Sequence, residues 1–465
     1  LEYLFEFLHA YDFTTTPKDI SQGVKQNHDK LINSAVLGLV FEKLNGYKEG
    51  SFYTPSFITS YMCKQSITQA TLERFNSTFG WKCESLQKLK EKIEKEEKIS
   101  DEEFLNTLLS LKICDPSVGS GHFLVSALNE IVLIAHTLRI ISLPRGTSLE
   151  LENDEILIRD REGLFSYCKP TKQDEDEHII QTKMFNLKKS IIENCLFGVD
   201  INPNSCEITK LRLWIELLKY SYYIFDENGK NTNALETLPN IDINIKCGNS
   251  LISYFGLHDS FSHIRNIKEQ ITNYKHLVKC YKEGIYESKS KIDEQISRLL
   301  QSFKNFCFSQ KYESEIKTFS KLCEKYSQNY GDYLANEDSE LSRYVHAGLD
   351  LDLNIDEEKA KGDFQALKDA YRKIFSLEEN KPFEWRFAFP EVLDEEGEFR
   401  GFDCVIGNPP YIRQELIKDL KPTLAKKYEI YKGTSDIYTY FFERGFHIAR
   451  GGGGDIDIYY KQQMD

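Results

Sequence analysis

The feature that most constrains this chain is the stretch from Phe402 to Tyr411, in which Cys404-Val405-Ile406 runs into Gly407-Asn408-Pro409-Pro410-Tyr411. The apolar triplet reads as a strand buried on both faces. Two consecutive prolines cannot extend that strand, because neither carries a backbone N–H and both fix φ. The chain must leave the sheet at Asn408 as a stiff loop. Such a loop presents an amide, free carbonyls and an aromatic ring at the carboxyl end of a strand, the edge where open α/β sheets bind ligands. An amide oxygen and a carbonyl accept hydrogen bonds from an exocyclic amine, and a ring stacks on a flat heterocycle.

Three upstream stretches have the same form. Lys112-Ile113-Cys114 is a short strand feeding Asp115-Pro116-Ser117-Val118-Gly119-Ser120-Gly121-His122-Phe123, followed by an apolar helix from Leu124 to Ile141. Strand, glycine-rich turn and helix make the first βα unit of a doubly wound sheet. The spacing is neither the dinucleotide fingerprint nor a phosphate loop, so the expected ligand lacks a pyrophosphate. Residues 184–194 predict a helix, and Cys195 to Val199 a buried strand ending at Asp200. A carboxylate there can accept from both hydroxyls of a ribose. Asn202, followed by Pro203, is the better helix cap, and a helix over 204–223 buries Ile208, Leu211, Leu213, Trp214, Leu217 and Leu218. Ile241 to Lys246 alternates as a strand and ends in Cys247-Gly248-Asn249-Ser250.

Elsewhere the reading is more local. Residues 29–45 predict a helix with Leu31, Ile32, Ala35, Val36 and Leu39 on one face. Thr54 reads as the cap of the next helix, with Pro55 in its first position. The Lys/Glu run at 86–98 is a solvated helix face, and Ser100 with Glu103 is a capping box. Residues 143–178 are a polar surface excursion. Residues 256–380 turn to Lys, Glu, Tyr and Gln and read as charged helices inserted between two strands. The aromatics of Phe383-Glu384-Trp385-Arg386-Phe387-Ala388-Phe389 pack that insertion back onto the sheet. A helix from Asp436 to Ile448 precedes Asp455–Tyr460, the remaining segment able to supply a strand.

Size and charge bound the answer. The 465 residues suffice for two or three domains, and 40% hydrophobic with 28% charged content marks a soluble globular chain. No apolar run is long enough to span a bilayer. The 11 cysteines, with no secretory signal and no C-x-x-C pair, fit a reduced cytoplasmic protein without a zinc site. A net charge of −14 is unexpected for a protein that grips nucleic acid over its whole surface. Basic surface confined to a cleft, with the main DNA grip outside this chain, reconciles the two.

Tyr53-Thr54-Pro55, the Asp115–Phe123 turn, Gly198-Val199-Asp200 and Asn408-Pro409-Pro410-Tyr411, in that order, resemble the gamma class of adenine-N6 DNA methyltransferases. Gly46 to Phe52, Gly248-Asn249-Ser250-Leu251 and Trp385-Arg386-Phe387 are similar to the methylase part of type IIG restriction-modification enzymes. The resemblance implies a Rossmann-like, S-adenosylmethionine-dependent doubly wound α/β sheet. It divides the chain into an N-terminal helical region (1–50), a cofactor half (51–255), a charged helical insertion (256–400) and a target-base half (401–465) that ends short of a complete sheet.

By the same resemblance, Tyr53, Thr54 and Pro55 would hold the methionine carboxylate of S-adenosylmethionine. Asp115, Pro116, Ser117, Gly119 and Gly121 would line its methionine end, and Phe123 its adenine. Asp200 would bind the ribose and Ile201 the cofactor base, with Asn249 and Ser250 near the adenine amine, where the family often has Asp. Asn408 and the Pro409 carbonyl would accept from the target N6 amine, Pro410 would stiffen the loop, and Tyr411 would stack on the base. No metal and no cysteine nucleophile is required. The partner would be double-stranded DNA, with no membrane involved. A target recognition domain is expected beyond Asp465 and any nuclease before Leu1. Cytosine-N4 methylation, glutamine methylation in a protein, and a catalytically silent recognition subunit are the alternatives.

Overall fold

The computed structural model describes residues 54–451 apart from 153, 162, 241–243, 260–265, 287, 339, 347–355, 376, 378 and 379, together with the backbone of 12–13, 31–32 and 455–458. Five parallel strands form the central sheet: β1 (Ile113–Asp115), β2 (Leu196–Asp200), β3 (Ile245–Cys247), β4 (Cys404–Gly407) and β5 (Asp455–Ile458). Their spatial order is β3-β2-β1-β4-β5. Asp115 lies opposite Gly198, Val405 opposite Cys114, and Gly407 opposite Ile458. This is the doubly wound arrangement, and the order reverses between β1 and β4. The crevice for a ligand therefore opens at the carboxyl ends of those two strands.

Alternation along each strand divides the core in two. Ile113, Leu196, Ile245, Cys404 and Ile406 face a cluster built from α1 (Ser56–Phe79), α2 (His122–Thr137), α3 (Asp176–Asn194) and α4 (Pro203–Leu218). Cys114, Phe197, Val199 and Val405 face the other way. They meet Tyr274 of α5 (Ile267–Glu283), Phe303 of α6 (Lys289–Lys311), and Trp385, Phe387 and Phe389. The segment between β3 and β4 thus supplies the second helical layer, with the aromatic tract between helices and sheet. Tyr274 Oη donates to the Phe387 carbonyl at 2.8 Å, and Trp385 Nε1 to the Ser250 carbonyl at 3.0 Å. Each buried aromatic contributes about 1.5–3 kcal/mol of apolar burial. Further along, α7 (Glu313–Tyr330) and α8 (Glu357–Phe375) close a separate small core around Phe319, Tyr326, Tyr330, Leu367 and Ile374.

Several local expectations need correction. Leu31–Ile32 pairs in parallel with Asp12–Phe13 where the periodicity predicts helix over 29–45. An apolar pair satisfies a ladder as well as a helix face, and the rest of that segment lies outside the described residues. The first-turn cap of α1 is Pro55, not Thr54, and it makes no side-chain capping bond. On α4, Leu211 and Leu218 are exposed, because that helix turns a narrower face to the sheet than its composition suggests. The excursion at 143–178 contains an antiparallel meander (Ser148–Glu152, Glu155–Asp160 and Gly163–Leu164) and the start of α3. Ser100 does cap its helix, accepting from Glu103 N at 3.2 Å. The third strand starts at Ile245, later than the alternation suggests, and 241–243 lie outside the described residues.

Helix α1 is fastened across the sheet at its far end. The Asp403 carboxylate pairs with Arg74 of α1, accepts from Lys112 N at 2.8 Å, and lies 3.3 Å from Arg450 Nε. Asp403→Ala would leave two guanidinium groups facing each other without their shared anion. We expect it to lower unfolding free energy by about 3 kcal/mol, measured by urea denaturation. A loss within 0.5 kcal/mol, the ordinary effect of a surface change, would assign α1 docking to apolar packing alone.

Candidate active site

A cleft of about 290 Å³ opens at the switch point. Its wall contains Thr54, Asp115, Pro116, Ser117, Gly119, Phe123, Asp200, Ile201, Asn249, Ser250, Asn408 and Pro410. Twelve positions singled out from sequence thus meet around one space, although they come from five separate parts of the chain. Pro55, Gly121, Pro409 and Tyr411 are not among its lining residues. Tyr53 lies outside the described residues.

The turn after β1 is held by its own polar groups. Ser117 N donates to Asp115 Oδ1 at 2.9 Å, and Gly119 N donates to Asp200 Oδ2 at 2.9 Å. The other oxygen of Asp200 accepts from Asn202 N at 2.8 Å. Asn202 caps α4, accepting from Asn204 N at 2.9 Å, as Pro203 after it suggests. A carboxylate has about four acceptor positions, so Asp200 keeps capacity for hydroxyl donors. Gly119 and Gly121 both have positive φ, at 53° and 78°. A Cβ on Gly121 would stand 2.8 Å from Thr209 Cγ2. That glycine serves the packing of α2 on α4 rather than the cleft wall.

The amide of Asn408 joins the two halves of the site. Its Nδ2 donates to Thr54 Oγ1 at 2.9 Å, and its Oδ1 accepts from Tyr411 Oη at 2.9 Å. Its backbone carbonyl accepts from Ser117 Oγ at 3.3 Å. Thr54, freed from capping duty, is therefore engaged by the loop after β4. Asn249 Oδ1 accepts from Leu251 N at 3.1 Å, and Ser250 Oγ donates to the Pro116 carbonyl, which fixes the end of β3 on the glycine-rich turn. Cys404 is fully buried in β4, away from the cleft. Among the described residues no three His, Cys, Asp or Glu side chains come together as a metal site. Nor is any described helix long and apolar enough to cross a membrane.

Three features escaped the sequence reading. Gly407 allows the approach of β4 to β1, since a Cβ there would stand 2.5 Å from Asp115 Oδ1. A glycine closing an apolar strand is the signal for it. Ile412, Leu416, Ile417, Leu420, Ile437 and Phe441 supply the apolar part of the cleft lining; they carry no motif. His122 lines the cleft from the first turn of α2.

The chain belongs to the Eco57I restriction-modification methylase family, whose model matches residues 194–456. The methylase-family match falls on a Rossmann-like α/β sheet. A protein of Methanocaldococcus jannaschii named "Putative type II restriction enzyme and methyltransferase" is 29% identical over 442 residues, covering 88% of this chain and 32% of that protein. The chain spans about a third of the length of that relative.

Burial pushes the Asp115 carboxyl up to about 8; the Ser117 N–H opposes the rise and the negative charge of Asp200 adds to it. The unfolded carboxyl titrates near its ordinary 3.8. Below that value both states hold the proton and the favourable contribution is whole. As pH rises toward 8 the unfolded chain releases its proton and the folded chain does not, so stability is lost across this window and levels off above it. Asp115→Asn removes the titration. The stability of the cofactor-free variant relative to the parent should rise between pH 4 and pH 8 by on the order of 5 kcal/mol. Denaturation at several pH values measures it, and a difference independent of pH would refute the buried-acid assignment.

Proposed function

We propose that the chain is the methylase part of a type IIG restriction-modification protein. It transfers a methyl group from S-adenosylmethionine to N6 of an adenine turned out of double-stranded DNA. The observation that carries this reading is the Asn408 amide, held between Thr54 and Tyr411 at the edge of a cleft that also contains Asp115, Asp200 and Asn249.

The residues present suit the cofactor. Asp200 would take the ribose hydroxyls, Ile201 and Phe123 the adenine faces, and Asn249 the adenine amine, with Ser250 fixing that loop. Asp115, Pro116, Ser117, Gly119 and Gly121 would shape the methionine side, and Tyr53, Thr54 and Pro55 would close it. The absence of a side chain at Gly119 lets backbone stand close to the ligand. S-adenosylmethionine, when bound, supplies an electrophilic methyl group on a sulfonium.

The chain's own residues then do three things. They hold the base, because a base inside the duplex cannot reach the cleft and must be extruded. The Tyr411 ring stacks on it, with Tyr438 6.1 Å away between ring centroids. They polarise the amine: Asn408 Oδ1 has a second lone pair beside the one facing Tyr411, and with the Pro409 carbonyl it accepts from the two N6 hydrogens. This directs the nitrogen lone pair toward the methyl group and stabilises the positive charge that develops on N6. They keep the geometry fixed: Pro409 and Pro410 stiffen the loop, and Ser117 ties its backbone to the cofactor turn, so the gain is chiefly one of positioning.

Asn408→Ala should reduce methyl transfer to adenine in duplex DNA about 100-fold or more while leaving S-adenosylmethionine binding within about 3-fold, judged against the cost of removing one transition-state hydrogen bond. Transfer of labelled methyl groups, with the modified base identified by mass spectrometry, reads both the rate and the product. N4-methylcytosine as product would replace the adenine assignment with its nearest chemical alternative. No transfer from a cofactor-binding full-length protein would make the chain a recognition subunit. The net charge of −14 further predicts that this chain alone binds DNA weakly and without sequence preference, since phosphate neutralisation supplies most non-specific affinity. Filter binding that showed tight, sequence-selective retention would place the recognition surface within these residues. Under this proposal, target recognition and cleavage belong to parts of the protein outside this chain.

A further inference from the structure

Away from the switch-point cleft, a second and larger groove of about 960 Å³ runs beside the helix Ile437–Ile448. The two share no lining residue. One end of the groove lies by the amino end of β4, where Arg450 N donates to the Phe402 carbonyl at 2.8 Å. Its charged lining is one-sided: Arg400, Lys427, Arg444 and Arg450, with His258 and His447, against Glu398. The chain as a whole carries a net charge of −14, so composition does not produce this bias.

Four of these groups have ion-pair partners outside the groove. Arg400 lies 2.7 Å from Asp394, Arg450 3.3 Å from Asp403, His447 3.8 Å from Glu443, and Glu398 3.1 Å from Arg386. Lys427 and Arg444 differ, since among the described residues they bond only neutral oxygens. Lys427 Nζ donates to the Ser253 carbonyl. Arg444 Nη2 donates to the Leu251 carbonyl at 3.3 Å, and Nε and Nη2 donate to Tyr428 Oη at 3.1 and 2.9 Å. Arg444 is only 7% exposed, yet its Nη1 has no hydrogen-bond partner among the described residues.

A carbonyl or a phenol satisfies a donor without neutralising its charge, and buried charges are ordinarily paired. Here cations crowd one another instead. Burial lowers the Lys427 ammonium to about 8, and Lys311 and Arg444 push it the same way against the pull of Glu384 and Asp259. Burial and Arg444 also lower the His447 imidazole. An anion in the groove would offset that repulsion. A guanidinium with a free N–H edge beside an ammonium suits a phosphate, whose oxygens accept at several points. Phe446, 61% exposed, belongs to the same lining and offers a ring to a flat group carried by that phosphate.

We propose that this groove binds a nucleotide, with its phosphate on Lys427 and Arg444 Nη1 and its base against Phe446. The nucleotide is free or one unit of a nucleic-acid strand; the chemistry that holds it is the same. The site stands apart from the cofactor cleft and does not rest on the reaction proposed above.

Cytidine 5′-monophosphate, cytidine and inorganic phosphate separate its parts. Calorimetric titration of the purified chain at constant ionic strength should show the monophosphate binding, phosphate binding more weakly, and cytidine not measurably. Lys427→Gln should weaken the monophosphate about 10-fold, the size of one charge-assisted hydrogen bond. Lys427→Arg keeps the charge and should retain most of the affinity, which guards against a folding defect at this position. Phe446→Ala should weaken the monophosphate about 5-fold, the lower range for loss of a stacked base, and leave inorganic phosphate unchanged. Competition with a single-stranded oligonucleotide assigns the source: displacement of the monophosphate identifies a strand, and its retention a free nucleotide. No binding of the monophosphate, equal binding of cytidine or of phosphate alone, or parental affinity in Lys427→Gln would overturn the proposal.

Discussion

Everything in the site depends on how closely β4 can lie beside β1. Asp115 ends one strand, and Asn408 follows directly on Gly407, the last residue of the other. A methyl group there would stand 2.5 Å from the Asp115 carboxylate. The absence of a side chain at that position allows a carboxyl group and an amide to share one crevice without a spacer. The order reversal of the sheet opens the crevice, and this approach decides which atoms face it. Ser117 reaching the Asn408 carbonyl and Thr54 receiving the Asn408 amide are further bonds across the same gap. They bring three distant segments to one amide group.

Desolvation is the electrostatic consequence. Asp115 is only 1% exposed, and its carboxyl is raised far above the ordinary range. Asp200, nearby, spends its two oxygens on backbone N–H groups of the two turns that flank the crevice. Asp115 therefore keeps its proton well above the ordinary carboxylate range, in a space that has to accommodate both polar and apolar groups. The crevice is also lined by aliphatic and aromatic side chains, so it offers both polar and apolar surface. That mixed lining suits a ligand with a charged part and a flat hydrophobic part.

The parts of this architecture that were legible in the sequence are those where local chemistry leaves few options. Two prolines after an apolar triplet forbid a continuing strand, and Gly-x-Gly after Asp-Pro forces a tight turn, so β1, β4 and their loops could be read directly. Asn202 before Pro203 could be read as a cap for the same reason. The misreadings have physical causes as well. Thr54 has the composition of a cap, but a better partner, Asn408, lies some 350 positions away in the chain. Leu211 and Leu218 were assigned to a buried face by type alone, while the width of the buried stripe is set by the sheet that α4 packs on. Asp154 lies in a polar stretch and is buried nonetheless, because Ser60, Ser126 and Asn129 on two helices supply its partners. No pattern internal to 143–178 announces those partners.

The small core shared by α7 and α8 has a consequence of its own. Its buried residues form a cluster of their own, and Phe308 of α6 joins that cluster to the second face of the sheet, stacking on Phe375 on one side and meeting Tyr254 on the other. The outer lobe therefore reaches the layer that braces Ser250 through a narrow aromatic seam, and its far end lies apart from that layer. A protein that must alter what it touches while preserving one reaction gains freedom from that division, since variation has a site of its own at a distance from the chemistry.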